Sequence, residues 1–346
     1  MKNLALALSV MFLFGMCVRS NAQSAKPEYK VVNKIHLPGE TWWDYPSIDA
    51  STGRLFVSRG TMVQVVDVRD GKLVGTIPNT EGVHGIAIAE ELNKGFTSDG
   101  ADSSVTVFNL KTLKVITKIP VTGIGPDAIL YDPFTHRVFT CNGGTSNSTV
   151  IDARTDKVIG TIELSGRPEF AATDGQGRIY INIEDKSLID EINPKTMKIE
   201  NVWPIAPGEH PSGLAIDPMN HVLFSVCHNK LMVVMNALDG KVITTLPIDE
   251  RVDGAAYDPV LQRAYSSNGE GTLTIVQREG KDSYKVLEVL PTQIGARTIA
   301  LDTKTHRLYL PTAEFNPRPE PTAANPHPRP TMKENSFVVL EVAPVK

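Results

Sequence analysis

Asp67-Val-Arg-Asp-Gly-Lys72, Asn109-Leu-Lys-Thr-Leu-Lys114, Asp152-Ala-Arg-Thr-Asp-Lys157, Asn193-Pro-Lys-Thr-Met-Lys198 and Asn236-Ala-Leu-Asp-Gly-Lys241 are five copies of one six-residue turn. Their first residues stand 42, 43, 41 and 43 apart. A repeat of that period marks a four-stranded propeller blade, a unit that buries its faces only against neighbours of its own kind. β-branched runs flank each turn. Ser104-Val-Thr-Val-Phe108 and Thr272-Leu-Thr-Ile-Val276 read as third strands, Lys157-Val-Ile-Gly-Thr-Ile162 and Lys241-Val-Ile-Thr-Thr-Leu246 as fourth strands.

A second marker falls at Asp49, Ala89, Asp132, Asp174, Asp217, Asp258 and Asp302, with steps of 40, 43, 42, 43, 41 and 44. A short apolar stretch precedes each marker, and a turn leads to a cation or polar residue that opens the next strand, as in Asp132-Pro-Phe-Thr-His-Arg137. Asp caps its own backbone two residues on, and Pro presets φ. Seven markers predict seven blades. Blade 7 ends after its third strand, Ser336-Phe-Val-Val-Leu-Glu341, whereas Tyr29-Lys-Val-Val-Asn-Lys-Ile35 reads as a spare fourth strand. The expectation is an all-β, seven-bladed propeller whose last blade is closed by the N-terminal strand, leaving no open sheet edge in the ring. No stretch of ten residues beyond the first 22 carries a helical period.

Val150-Ile-Asp-Ala-Arg-Thr-Asp-Lys-Val-Ile-Gly-Thr-Ile162, followed by Gly166-Arg-Pro-Glu and Gly177-Arg-Ile-Tyr-Ile-Asn182, resembles the YVTN (YncE-like) propeller repeat family over roughly residues 28 to 346. The tetrapeptide itself is replaced by Phe56-Val-Ser-Arg, Phe139-Thr-Cys-Asn and Tyr180-Ile-Asn-Ile. The resemblance implies the fold and leaves the function open, because related propellers serve many roles.

Lys2, an apolar run from Leu4 to Phe14, and small residues at Ser20 and Ala22 make residues 1–22 a secretory signal, cut after Ala22. The run is too short to span a bilayer, and Phe14-Gly-Met-Cys17 is a poor lipobox. The domain expected is 23–346, soluble, periplasmic or secreted, and monomeric. Loss of Lys2 and Arg19 leaves 33 cations against 39 carboxylates, net −6, with no basic stripe in the sequence. Nucleic acid is therefore disfavoured as a partner. Cys141 and Cys227 fall in blades 3 and 5, too far apart for a disulfide, and are expected to be buried and unpaired.

Antiparallel order puts the residues entering strand one and those leaving strand two on one face, around the channel. Five places before each marker stand Asp44, His84, Asp127, Glu169, Ser212, Asp253 and Arg297. Leaving strand two are Arg59, Asp99, Asn142, Glu184, His228, Asn268 and Glu314. Such a set suits solvated lining of a water-filled channel, a small-ligand or divalent-cation site, or an acid–base centre. No two histidines on this face have a metal-ligand spacing, so no cofactor is identified; His136, His221 and His306 are expected as exposed turn residues of the far face. Trp42-Trp43-Asp44-Tyr45 is either loop packing or an aromatic platform at the rim. Residues 311–335, with seven prolines and no apolar period, form an insertion in blade 7 expected to be extended or mobile, as a lid, a docking strand or inert decoration. The function expected is a ligand- or protein-binding scaffold acting through the channel mouth on a small molecule, peptide or protein. The alternative is a metal-dependent, lactonase-like hydrolase using Asp44, Asp127, Glu169 and Asp253.

Overall fold

The computed structural model describes residues 28–345 other than 323, 324, 327 and 329, so the expected signal at residues 1–22, with Cys17, and Arg329 lie outside the described residues. Seven four-stranded antiparallel sheets form the ring. Blade 1 comprises Pro46–Asp49, Arg54–Arg59, Met62–Asp67 and Lys72–Pro78, innermost strand first. The innermost strands of blades 2 to 7 are Val83–Ala89, Pro126–Asp132, Pro168–Thr173, Pro211–Asp217, Val252–Asp258 and Ala300–Asp302.

Closure by the N-terminal strand is what the chain does. Tyr29–His36 pairs antiparallel with Val338–Pro344, from Tyr29 opposite Pro344 to His36 opposite Val338. The fully buried Tyr29 hydroxyl lies 2.7 Å from that of Tyr265 and accepts from Arg263 at 3.0 Å, tying the closing strand to blade 6.

The cation that opens strand two has a structural task. Arg54 donates to Leu110 O at 2.7 Å, Lys94 to Ala153 O at 3.0 Å, and Arg137 to Pro194 O at 2.5 Å, each reaching the outer turn of the following blade. The marker aspartates act similarly at the inner turns. Asp49 caps Ser51 N at 2.9 Å, whereas Asp132 accepts from Thr173 and Asp217 from Tyr257, both one blade on. This corrects one expectation: His136 and His306 sit at positive φ in far-face turns but are half-buried and hydrogen-bonded between blades, His306 Nδ1 to Asp258 at 2.7 Å and His136 Nδ1 to Glu91 at 3.2 Å. The cost of a left-handed turn is offset by an inter-blade bond. His221 is likewise half-buried.

Apolar side chains pack between neighbouring blades, as where Phe224 stacks on Tyr257 at 5.1 Å. Each such ring, fully buried, contributes on the order of 1.5–3 kcal/mol. Cys141 and Cys227 are buried and free, and burial raises both thiol pKa values.

The insertion is anchored at its base. Arg307–Thr312 carries strand two into it, Phe315 bridges to Met332, and Lys333 meets Glu314 through backbone and, at 3.0 Å, side chain. Phe315 stacks on Trp42 and Trp43 at 5.5 and 5.9 Å, and Trp43 also packs on Phe337 at 5.2 Å. Residues near both ends of the segment thus contribute to the core.

Candidate ligand-binding site at the channel mouth

The residues that face the channel mouth are aimed by a repeated irregularity. In blades 2 to 6 the register between strands one and two shifts between Val83 and Ile86, Pro126 and Ile129, Pro168 and Ala171, Pro211 and Leu214, and Val252 and Gly254. His84, Asp127, Glu169, Ser212 and Asp253 are each the first residue left unpaired in these bulges, and a bulge re-aims its side chain. A small residue often follows. A Cβ on Gly213 would stand 2.6 Å from Ala255 N, and one on Gly85 3.1 Å from Ile129 N, so these glycines let the inner strand of the next blade approach.

Polar side chains of strand two fasten the bulges from behind. Asp44 N donates to Ser58 Oγ at 2.8 Å and Gly85 N to Ser98 Oγ at 2.8 Å; Ser98 Oγ also donates to Asp127 O. Asn182 Nδ2 donates to Ser212 O at 2.8 Å, Ser267 Oγ to Arg297 O at 2.5 Å, and Thr298 closes the ring on Asp44 O at 2.9 Å. These positioning residues were not singled out from the sequence. Their signal was a Ser or Asn one place before the end of strand two, as at Ser58, Ser98, Asn182 and Ser267, with Thr298 one place past Arg297.

The ring has two unlike halves. Arg297 Nε lies 3.0 Å from Asp253 Oδ2, its Nη2 is 3.5 Å from Asp44 Oδ1, and Ser212 donates to Asp253 at 2.8 Å. On the other side His84 Nδ1 lies 2.7 Å from Asp44 Oδ2 and 3.6 Å from Asp127 Oδ1. Asp127 Oδ1 and Glu169 Oε2 are buried and have no hydrogen-bond partner. Burial and then the neighbouring Asp44 charge raise the Asp127 pKa to about 6; burial and then Asp127 and Asp253 raise Glu169 to about 9. Burial also raises Asp253 to about 6 against the pull of Arg297. Burial opposes charge on His84, but its bond to Asp44 and the Asp127 and Asp44 charges prevail and raise its pKa. Four carboxyl groups thus face one guanidinium and one imidazole.

Tyr45 forms the floor. It is 7% exposed, and burial followed by the charges of Asp253, Asp127, Asp44 and Glu169 raises its pKa well above the usual value, so it stands neutral beneath the acids. Beyond it, a cavity of about 290 Å³ follows the inner strands of blades 1 to 4, lined by Ile48, Ile88, Leu130 and Phe170 among others.

The remaining candidates lie elsewhere. Asn142 and Asn268 are fully buried and bond within their own blades, Asn142 to Asn147 and Thr149, Asn268 to Thr272 and Thr274. His228 is at the rim, 4.0 Å from Glu184, which pairs with Arg167 at 3.1 Å. Trp43 is 8% exposed inside the aromatic stack. Arg59, 1% exposed, bonds Gly39 O at 2.6 Å and lies 3.6 Å over the Phe337 ring.

No family model matches the chain, and no curated protein does. Solved structures do match. The chain is similar to Kuenenia stuttgartiensis hydrazine synthase at 18% identity, covering 80% of this chain and 94% of that one with a TM-score of 0.70. It is similar to U3-55K and to the WD40 repeats of RRP9, each at 8% identity and a TM-score of 0.73, covering 90% of this chain and 98% and 97% of theirs. At these identities the likeness speaks for the propeller fold alone. Among the described residues, no helix is long and apolar enough to cross a membrane.

Proposed function

We propose that the chain is an exported, monomeric binding module of the YVTN (YncE-like) kind whose channel mouth captures a positively charged ligand. The observation that carries this reading is the pair of buried oxygens without a hydrogen bond, Glu169 Oε2 and Asp127 Oδ1, the latter met only by His84 Nδ1 at 3.6 Å. Burying a carboxylate without a partner is costly, and on the opposite half of the ring the same problem is met by Arg297. A ligand that brings a divalent metal ion, an ammonium or a guanidinium to Asp127 and Glu169 completes the pattern. Titration calorimetry with Ca²⁺, Zn²⁺, alkylammonium and arginine tests the reading. Binding should be lost in Glu169→Gln and Asp127→Asn; no heat with any of the four probes defeats it.

A metal-dependent hydrolase is the second reading. It is favoured by Asp44, His84 and Asp127, whose ligating atoms lie within 4.8 Å of one another. Lactone and ester turnover that requires added metal and vanishes in Asp127→Asn would put this reading first.

A further inference from the structure

The topology that gathers the acids at the channel mouth sends every inner and outer turn to the opposite face. The outer turns are the six-residue repeat itself, and the repeat ends in Lys. In blades 1 and 5 a carboxylate of the same turn neutralises that Lys, Asp70 to Lys72 at 2.9 Å and Asp239 to Lys241 at 3.0 Å. In blades 2 to 4 it does not. Lys111, Lys114, Arg154, Lys157, Lys195 and Lys198 are exposed and, among the described residues, make no ion pair. The carboxylates nearby are already engaged: Asp152 caps its own turn at Arg154 N and Thr155 N, and Asp156 is matched by Lys94 at 2.7 Å.

Nearer the axis of the same face, the inner turns of blades 3, 5 and 6 carry exposed apolar tips at one repeat position, two residues past the marker, where the other four blades have Ser51, Glu91, Gln176 and Lys304. Met219 is 81% exposed, Val260 67% and Phe134 40%, the last with Lys195 Nζ 4.2 Å above its ring. Phe134 stands within the arc of unpaired cations of blades 2 to 4, and Met219 and Val260 extend the apolar tips of the same face into blades 5 and 6. Such tips beside unpaired cations have the chemistry of a peripheral membrane surface: the tips enter the headgroup boundary and the cations meet anionic lipid. A polyanion alone would use the cations but leaves Met219 and Val260 without a role.

We propose that this far face docks on an anionic lipid surface, leaving the channel mouth turned outward to its ligand. The proposal does not depend on what the channel mouth binds. Co-sedimentation of the purified protein with vesicles of phosphatidylglycerol and phosphatidylcholine, against phosphatidylcholine alone, tests it. Binding is expected only to the anionic vesicles and should weaken sharply between 50 and about 500 mM salt. Replacing Lys111, Lys114, Lys195 and Lys198 by Gln should remove about fivefold per residue. Met219→Ser with Val260→Ser should weaken binding at constant charge, with the melting temperature unchanged because both side chains are exposed. Equal binding to neutral vesicles, no vesicle binding, or retention on heparin with vesicles ignored overturns the proposal. So does full vesicle binding by the Met219/Val260 variant, since that leaves a purely ionic surface.

Discussion

Tyr45 and Phe170 meet edge to face, ring centroids 5.1 Å apart and planes at 62°, although they belong to blades 1 and 4. Two blades lie between them around the ring, so this contact crosses the channel. Tyr45 therefore leaves its own strand to join a core cluster built from blades 3 and 4, with Ala128, Phe139 and Ile181. The acids and the apolar lumen share one axis but are parted by this side chain, and a ligand reaching the acids comes from the mouth.

That crossing makes Tyr45 a stability residue as well as a floor. Tyr45→Ala removes a buried aromatic ring and should cost about 3–5 kcal/mol in denaturant unfolding. Tyr45→Phe keeps the ring and should cost well under about 1 kcal/mol, since among the described residues the hydroxyl makes no hydrogen bond. Equal costs for the two would mean that the hydroxyl, and not the crossing, matters.

The ring should also write a pH dependence into stability. A carboxyl whose pKa is raised on folding keeps its proton where the unfolded chain has lost it, so the folded state loses relative stability as pH rises through that window. For Glu169 the window runs from the ordinary 4.5 up to about 9. His84 acts in the same direction: its raised pKa favours the folded state at low pH, an advantage lost as pH climbs above 6.5. Melting temperature is expected to fall between pH 5 and 9, and Glu169→Gln should flatten the fall and melt higher than the parent at pH 8. A variant that melts lower than the parent at pH 8 would show that the carboxylate is stabilised in some other way.

Asp99 invites a comparison internal to the chain. It closes strand two of blade 2 where Asn142 and Asn268 close blades 3 and 6, with the same hydroxyl partners two residues before and seven or six after: Thr97 and Thr106, Thr140 and Thr149, Ser266 and Thr274. Burial raises the Asp99 pKa to about 6, with Lys118 at 3.7 Å only partly relieving it. Asp99→Asn keeps the geometry, because its amide donates to Thr106 as that of Asn142 donates to Thr149. The variant should be more stable by about 1–2 kcal/mol at pH 7, given about 1.36 kcal/mol per pKa unit, and equal to the parent near pH 4. Denaturant unfolding at both pH values checks this.

The blade count and the closing strand were legible because the marker recurs in all seven blades and the six-residue turn in five, at nearly one period, and turn chemistry is local. The channel-mouth residues were legible for a related reason: the stretch from mouth to marker has one length in each blade, so a fixed offset from the marker reaches Asp44, His84, Asp127, Glu169, Asp253 and Arg297, although only blades 2 to 6 hold the residue in a bulge. What could not be read was direction. Asn142 and Asn268 leave strand two on the correct face but turn into their own blade, and Tyr45 crosses the channel, which no periodicity records. The half-buried His136 and His306 were missed because their partners, Glu91 and Asp258, lie 45 and 48 residues away and belong to the preceding blades.

The insertion in blade 7 divides into a part that should matter for stability and a part that should not. Phe315 and Met332 belong to the apolar cluster of Trp43 and Phe337, and Met332 is 8% exposed. Lys333 and Glu314 join at the base of the segment through a backbone bond and an exposed ion pair, the latter worth only about 0–1 kcal/mol. Replacing residues 318–329 by a short Gly-Ser turn keeps this base and should leave the melting temperature within about 2 °C of the parent, since a shorter loop changes closure entropy only slightly. Replacing 313–334 removes Phe315 and Met332, uncovers Trp43, and should cost about 2–4 kcal/mol through lost apolar burial. Thermal and denaturant melts of the two deletions side by side decide it. If both melt like the parent, the aromatic stack is a surface contact without weight; if the shorter excision also unfolds the chain, residues 318–329 carry structure that the base does not explain.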